Sequence, residues 1–245
     1  MPARLLLALV AMAAEVAAPL PAQQSSDPDD SDGGEVAVQG EAVGEATVRC
    51  HDPSDCTVEL QAALSDITLR RVIIPRGVQP WSTLPLVLNR SNFVLTFEAG
   101  AIVQARRGFF HDLYTPLLNV IGVSNVSIEG DTGASLRMWR SDYANASQYD
   151  HSEARHGIIL KSCTGVSVIG LEIAETGGDG LYLIWVQNVV LRSLTTMGAF
   201  RNGLSVIGAN DLLVENCSAS QSSTWNYLRI CIEMATFSTS VLFSI

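Results

Sequence analysis

A repeat of 23 residues constrains this chain more than any other feature. Gly157-Ile-Ile-Leu, Gly180-Leu-Tyr-Leu and Gly203-Leu-Ser-Val begin at successive steps of 23. Eight residues after each start, a turn residue and an apolar run recur as Gly165-Val-Ser-Val, Asn188-Val-Val-Leu and Asp211-Leu-Leu-Val. Two earlier copies of this second element, Asn92-Phe-Val-Leu and Asn125-Val-Ser-Ile, stand 33 apart, and the next lies 40 further on. The early repeats therefore carry longer excursions. Apolar residues alternate in each run, as they do in a strand with one buried face. The leading Gly, Asn or Asp suits the left-handed backbone of a sharp corner. A coil of this length buries too little surface to stand alone, so neighbouring coils must stabilise one another. Parallel pairing of successive coils predicts an all-β solenoid, a right-handed parallel β-helix by the crossover rule, with a groove along one side.

The ends of the chain read differently. Residues 1–22 have the pattern of a signal peptide, with Arg4, an apolar run from Leu5 to Ala14, and small residues up to Ala22. That run is too short to span a bilayer, so a secreted protein without stable membrane insertion is expected. Residues 23–47 read as a disordered acidic linker, since 23–46 hold seven acids and no Lys or Arg. From residue 47 onward 17 acids face 14 bases, and no basic stripe argues for nucleic acid. The β-helix domain is expected over 48–222. It opens with Ser54-Asp55 as cap chemistry and a short helix over Val58–Ile67, whose Leu60, Ala63, Leu64 and Ile67 share one stripe and cover the first coil. Near residue 226 the register breaks, so 223–245 reads as an irregular segment that truncates the solenoid.

Five cysteines are present, and Cys50 with Cys56 are close enough in sequence to form a disulfide. Cys163 and Cys217 read as small buried residues. No Cys or His spacing supports a metal site or a cofactor. Sequons at Asn89, Asn125, Asn145 and Asn216 suit a glycosylated secreted protein.

Several further motifs carry a family resemblance: Glu153-Ala-Arg-His-Gly157, Gly177-Gly-Asp-Gly-Leu-Tyr182, Arg201-Asn-Gly-Leu-Ser205 and Glu215-Asn-Cys217, with Val58-Glu-Leu-Gln-Ala-Ala-Leu and Val72-Ile-Ile-Pro75 ahead of them. Asn92 to Ser220 thereby resembles the pectin-lyase-like β-helix superfamily, which includes pectate lyases and polygalacturonases. It is closer to a group of secreted right-handed β-helix repeat proteins. The resemblance implies the fold and a polysaccharide or oligosaccharide partner. The polygalacturonase pattern of acidic motifs is partly present, because Gly178-Asp179-Gly180 lacks the second Asp.

The register places His156, Asp179 and Asn202 at one position of three successive coils, and Arg155, Gly178 and Arg201 at the next. A turn ladder and a functional site both fit that column. The excursion from Ala134 to Arg155 carries Trp139, Arg140, Tyr143, Tyr149, His151 and Glu153, offering aromatic faces to sugar rings and cations to carboxylates. Tyr182, Arg155, Arg201 and Asn202 complete the expected substrate contacts. Glycoside hydrolysis needs two carboxylates, and Asp179 as acid with Glu153 is the pair expected, His156 tuning Asp179. A lyase would instead use His156 or His151 as base with Arg155 and Arg201 neutralising charge, and calcium enters only for a lyase-like reaction. A glycan-binding protein without catalysis, or an inactive fragment, are the other readings. Nothing in the sequence sets an oligomeric state.

Overall fold

The computed structural model describes residues 44–221 and the backbone of 230–232 and 241–244. The expected signal peptide and most of the linker lie outside the described residues. Three parallel faces wind around one core. The first face stacks Leu86–Leu88, Leu118–Ile121, Ile158–Lys161 and the leading halves of Leu181–Arg192 and Leu204–Glu215. The second stacks Leu69–Ile74, Phe93–Phe97, Ser124–Gly130, Thr164–Ile169 and the trailing halves of the same two long strands. The third runs from Trp81–Thr83 through Ile102–Ala105, Ser135–Arg137, Glu172–Ala174 and Thr195–Met197 to Ser218–Ser220. Every pairing among these strands is parallel, and the chain is a parallel β-helix.

The register is the one that the repeat predicts: Ile158 pairs with Leu181 and Leu181 with Leu204. Inward residues stack in columns, such as Val126, Val166, Val189 and Leu212, all buried. Like sits on like because a parallel ladder repeats each side chain one strand spacing away, ~4.8 Å. The corners leading into the second face are left-handed at Asn92, Asn125, Gly165, Asn188 and Asp211, with φ between 52° and 64°. The glycines that open the first-face strands have another reason. Gly157, Gly180 and Gly203 are not left-handed. A Cβ on Gly180 would lie 2.7 Å from the Gly203 carbonyl oxygen and 2.8 Å from Thr196 Cγ2. They are glycines because the coils pack too closely there for any side chain.

Three boundaries differ from the sequence reading. Gly44–Thr47, assigned to the linker, is a strand that pairs with Leu69–Ile74 and covers the open edge of the second face. Ile230–Ile232 and Val241–Ser244, assigned to an irregular segment, pair with Leu204–Glu215. Leu204 meets Ile230 and Leu212 meets Val241, steps longer than 23, which is why the repeat was not visible there. The helix spans Thr57–Ser65 (α1), with Cys56 rather than Ser54 or Asp55 at its cap position. Asp55 still serves it, accepting hydrogen bonds from the Thr57 amide at 3.2 Å and hydroxyl at 2.5 Å. Leu60 and Leu64 are buried, whereas Ile67 lies past the helix end and is 81% exposed.

α1 covers the first coil with buried Leu60 and Leu64, a Thr57 hydroxyl that accepts the Leu84 N–H at 2.9 Å, and Gln61. The Gln61 amide donates to the Val87 carbonyl at 2.9 Å and accepts from the Val87 N–H at 2.9 Å. It takes the place of a missing strand beside Leu86–Leu88, whose edge would otherwise invite pairing with another chain. Cys56 and Cys50 are disulfide-bonded, with Cα atoms 5.4 Å apart, and hold the segment leading into α1. Replacing Gln61 by Leu should cost about 1 kcal/mol, the net worth of such bonds at a partly solvated site. It should also raise the concentration-dependent self-association seen by light scattering. Unchanged association would show that the edge is guarded by something else.

Candidate functional site

The excursions before the first face converge beside Asp179. The first two turn residues of the expected column each cap the backbone of the next coil. His156 Nδ1 accepts the Asp179 N–H at 2.9 Å, and Asp179 Oδ1 accepts the Asn202 N–H at 2.9 Å. Asn202 Nδ2 then donates to Ser205 Oγ at 3.1 Å. Ser205 was not singled out from the sequence. Its place, two residues into the strand after Asn202-Gly203, was the available signal. All four residues are buried, and Asp179 is 0% exposed. Gly178 makes the approach possible, since a Cβ there would lie 2.5 Å from the Glu153 carbonyl oxygen and 2.8 Å from His156 Nδ1.

The protonation states follow from this geometry. His156 Nδ1 is an acceptor, so its ring proton sits on Nε2. Burial, and then the Arg201 charge, push the imidazole down to about 3, so it is neutral near pH 7. The 3.4 Å approach of Nδ1 to Asp179 Oδ2 is therefore not an ion pair. Burial raises the Asp179 carboxyl above its ordinary range, against the opposing pull of the Asn202 amide, Arg201 and Ser205. Oδ2 is buried and has no hydrogen-bond partner of normal geometry. Burial thus makes the neutral form of Asp179 more favourable than it is for an exposed carboxyl.

Arg201 joins this buried acid to the surface. Its Nε lies 3.9 Å from Asp179 Oδ1 and 3.3 Å from Glu153 Oε2. Glu153 is 53% exposed at its side chain. The two carboxyl groups share one guanidinium, so these oxygens are at most about 7 Å apart. Tyr182 stacks on the His156 ring, centroids 4.5 Å apart, and closes the column from outside. His151 is exposed and meets Phe200 edge-on at 6.2 Å.

The long excursion has a different nature from the substrate wall expected of it. Arg155, Tyr143 and Tyr149 are buried, which corrects their assignment as substrate contacts. Arg155 donates from Nε to the Phe110 carbonyl at 2.7 Å, and from Nη2 to the carbonyls of His111 at 2.9 Å and Asp150 at 3.1 Å. Its guanidinium lies 5.4 Å from the Tyr143 ring centroid and 5.5 Å from that of Tyr149. Carbonyl dipoles and ring faces thus take the place of a counter-ion. Arg155 and Arg201 stand at the same repeat position. One is spent joining the excursion 106–117 to 138–156, and the other turns outward. Asn202 is likewise buried and faces the ladder rather than solvent.

Trp139 is half-buried and donates to the Ala105 carbonyl at 2.6 Å. Arg107 grips Asp142 in the short helix Arg140–Tyr143 (α2) through two bonds, at 2.6 and 2.7 Å. Arg140 reaches the Gln221 carbonyl at 2.7 Å. The sequon residues Asn89, Asn125, Asn145 and Asn216 are exposed. Asn125 donates to Asn92, and Asn145 accepts from Ser147. Among the described residues no group of three or more His, Cys, Asp and Glu is placed to hold a metal ion, and no helix is long and apolar enough to cross a membrane.

No protein-family model and no curated protein matches the sequence. Solved structures do match its fold. A candidate glycosyl hydrolase from Parabacteroides merdae is 13% identical with a TM-score of 0.61, over 81% of this chain and 95% of that one. The endo-xylogalacturonan hydrolase from Aspergillus tubingensis is 13% identical with a TM-score of 0.58, over 72% of this chain. This chain spans about half (51%) of that enzyme. At this identity the likeness is one of fold, the β-helix that the sequence motifs led us to expect.

Two outcomes follow from the buried groups. Below pH 6.5 an unfolded chain protonates His156 while the folded protein refuses the proton until about 3. Stability should therefore fall across that window as pH drops, by up to about 1.4 kcal/mol per pH unit. Urea titrations at several pH values should show a shallower slope for His156→Asn. Arg155→Leu removes the donor from one buried and two part-buried carbonyls and should cost about 3 kcal/mol by the same titration at pH 7.

Proposed function

We propose that this protein is a secreted polysaccharide hydrolase whose reacting pair is Asp179 and Glu153. The observation that carries the reading is a fully buried carboxyl sharing Arg201 with an exposed carboxyl group at most about 7 Å away. One carboxyl buried and the other exposed is the difference in environment on which acid and base roles draw. The separation is within reach of a pair that works with a water molecule between them. The names of the two fold neighbours, both glycan hydrolases by description, support the same class of substrate.

In this reading a sugar chain lies over the first face and displaces the half-exposed Arg201 side chain from Asp179. Asp179 donates its Oδ2 proton to the glycosidic oxygen as the bond from that oxygen to the anomeric carbon breaks. Glu153 takes a proton from the water that attacks the anomeric carbon. One proton is given and one taken, and the two carboxyl groups exchange states. His156 is a poor base for β-elimination, because Nδ1 already accepts a backbone N–H and the ring is buried. That favours hydrolysis over lyase chemistry. Tyr182 and Arg201 contact the substrate, and His156 and Asn202 position Asp179.

A second reading, glycan binding without turnover, draws on one observation: Asp179 has no exposed surface and its Oδ1 is engaged by Asn202. Reducing-end release over a panel of plant and microbial polysaccharides separates the two. Asp179→Asn keeps an oxygen for the Asn202 N–H and removes the acid. It should lower turnover about a thousandfold with little change in Tm. Wild-type activity should fall as pH rises through the elevated Asp179 pKa, because the acid form is then lost. A wild-type protein that binds a glycan and releases no reducing ends would establish the second reading.

A further inference from the structure

Between the first face and the second, one corner recurs at Gly122, Ser162, Trp185 and Gly208, each following a paired residue in the column Ile121, Lys161, Ile184 and Ile207. All four are left-handed, with φ of 65°, 55°, 54° and 90°. Glycine and serine are ordinary occupants of such a corner. A tryptophan is not, because its Cβ crowds the backbone in that conformation and a bulky residue there is an outlier. Burial does not compensate for the strain, since Trp185 is 53% exposed. The indole nevertheless has a seat. A Cβ on Gly208 would lie 3.0 Å from Trp185 Cε3 and 3.3 Å from Cζ3, so the ring rests on a corner left bare in the next coil. A residue that costs the fold stability while displaying a flat aromatic ring serves something outside the fold.

The surrounding surface narrows the ligand. Trp185 and Asp179 stand at opposite ends of the same first-face stretch, with Tyr182 and Ile184 facing out between them. On the neighbouring coils Ile159 and Ile207 are half-buried at the surface and Ile121 is 39% exposed. Among the described residues facing out from this face between Val87 and Ile207, Lys161 is the one charged group. A polyuronate carries a carboxylate on every ring and would find no column of cations here. An uncharged pyranose, with an apolar face of C–H groups, matches an aliphatic floor and an aromatic rim.

We propose that Trp185 is a sugar-stacking platform, a binding subsite for an uncharged hexose or pentose unit of a polysaccharide, on the side of the first face opposite Asp179. This rests on the reading of the protein as carbohydrate-active and adds to it the position and the charge class of the ligand. The test measures affinity by calorimetry for cellohexaose, xylohexaose, mannohexaose and an oligogalacturonide, alongside Tm. Asn tolerates the left-handed corner. Trp185→Asn should therefore lose roughly tenfold or more in affinity for a neutral oligosaccharide, while its Tm stays level or rises by about 2–4 °C. Trp185→Phe should recover part of the affinity. Undiminished neutral-sugar binding by Trp185→Asn would overturn the subsite and leave the hydrolase reading standing. So would a wild-type preference for the oligogalacturonide, or a lowered Tm in Trp185→Asn, which would mean that the indole is kept for the fold. A wild-type protein that binds none of the four overturns the subsite, while reducing-end release over the polysaccharide panel still judges the hydrolase reading separately.

Discussion

The parallel ladder between coils is the interaction on which everything else depends. A coil of this β-helix has no core of its own. It acquires one when its strands pair with equivalent strands 23 residues away and its inward side chains settle on their counterparts. That constraint fixes the left-handed corners, since a chain that must return to the same place every turn must bend at the same residues. It also dictates what happens at the open end. α1 lends a side-chain amide to the first face and Gly44–Thr47 lends a strand to the second, so that the first strands of these two faces are covered.

The same ladder builds the candidate site. Stacking places His156, Asp179 and Asn202 close enough for the first two side chains each to take the backbone N–H of the next coil. A carboxyl recruited to that job is drawn out of water. Having lost its solvent, it holds a proton more readily than an exposed carboxyl does. The ladder that caps the turns is thus also what takes the Asp179 carboxyl out of water. Around it, Arg155 fuses two long excursions into one rigid block, and Arg201 alone carries charge from the column to the surface.

Across the first face the balance is reversed. The fold would be easier with a glycine or asparagine in place of Trp185, and the surface between Trp185 and Asp179 is mostly aliphatic. Asp179, just before the strand Leu181–Arg192, and Trp185 within it lie on one short stretch of chain, so the spacing between them is set by the backbone.

The repeat was legible because a parallel ladder forces like residues to recur at one interval, and the pairing of Ile158, Leu181 and Leu204 could be written from the sequence alone. So could the column of His156, Asp179 and Asn202. Burial was not legible, because the repeat places residues along the chain and says nothing about which way a turn side chain points. Arg155 and Arg201 hold the same position in the repeat, and only the packing of 106–117 against 138–156 sends one inward and the other outward. Gly157, Gly180 and Gly203 looked like corner residues and proved to be points of close approach, a distinction that depends on the neighbouring coil. The sequence by itself determined the winding, the register and the carboxyl groups available. The tertiary structure decided which of them lost water, which cation stayed at the surface and what Trp185 leans on, because desolvation and contact arise only when one coil lies on the next.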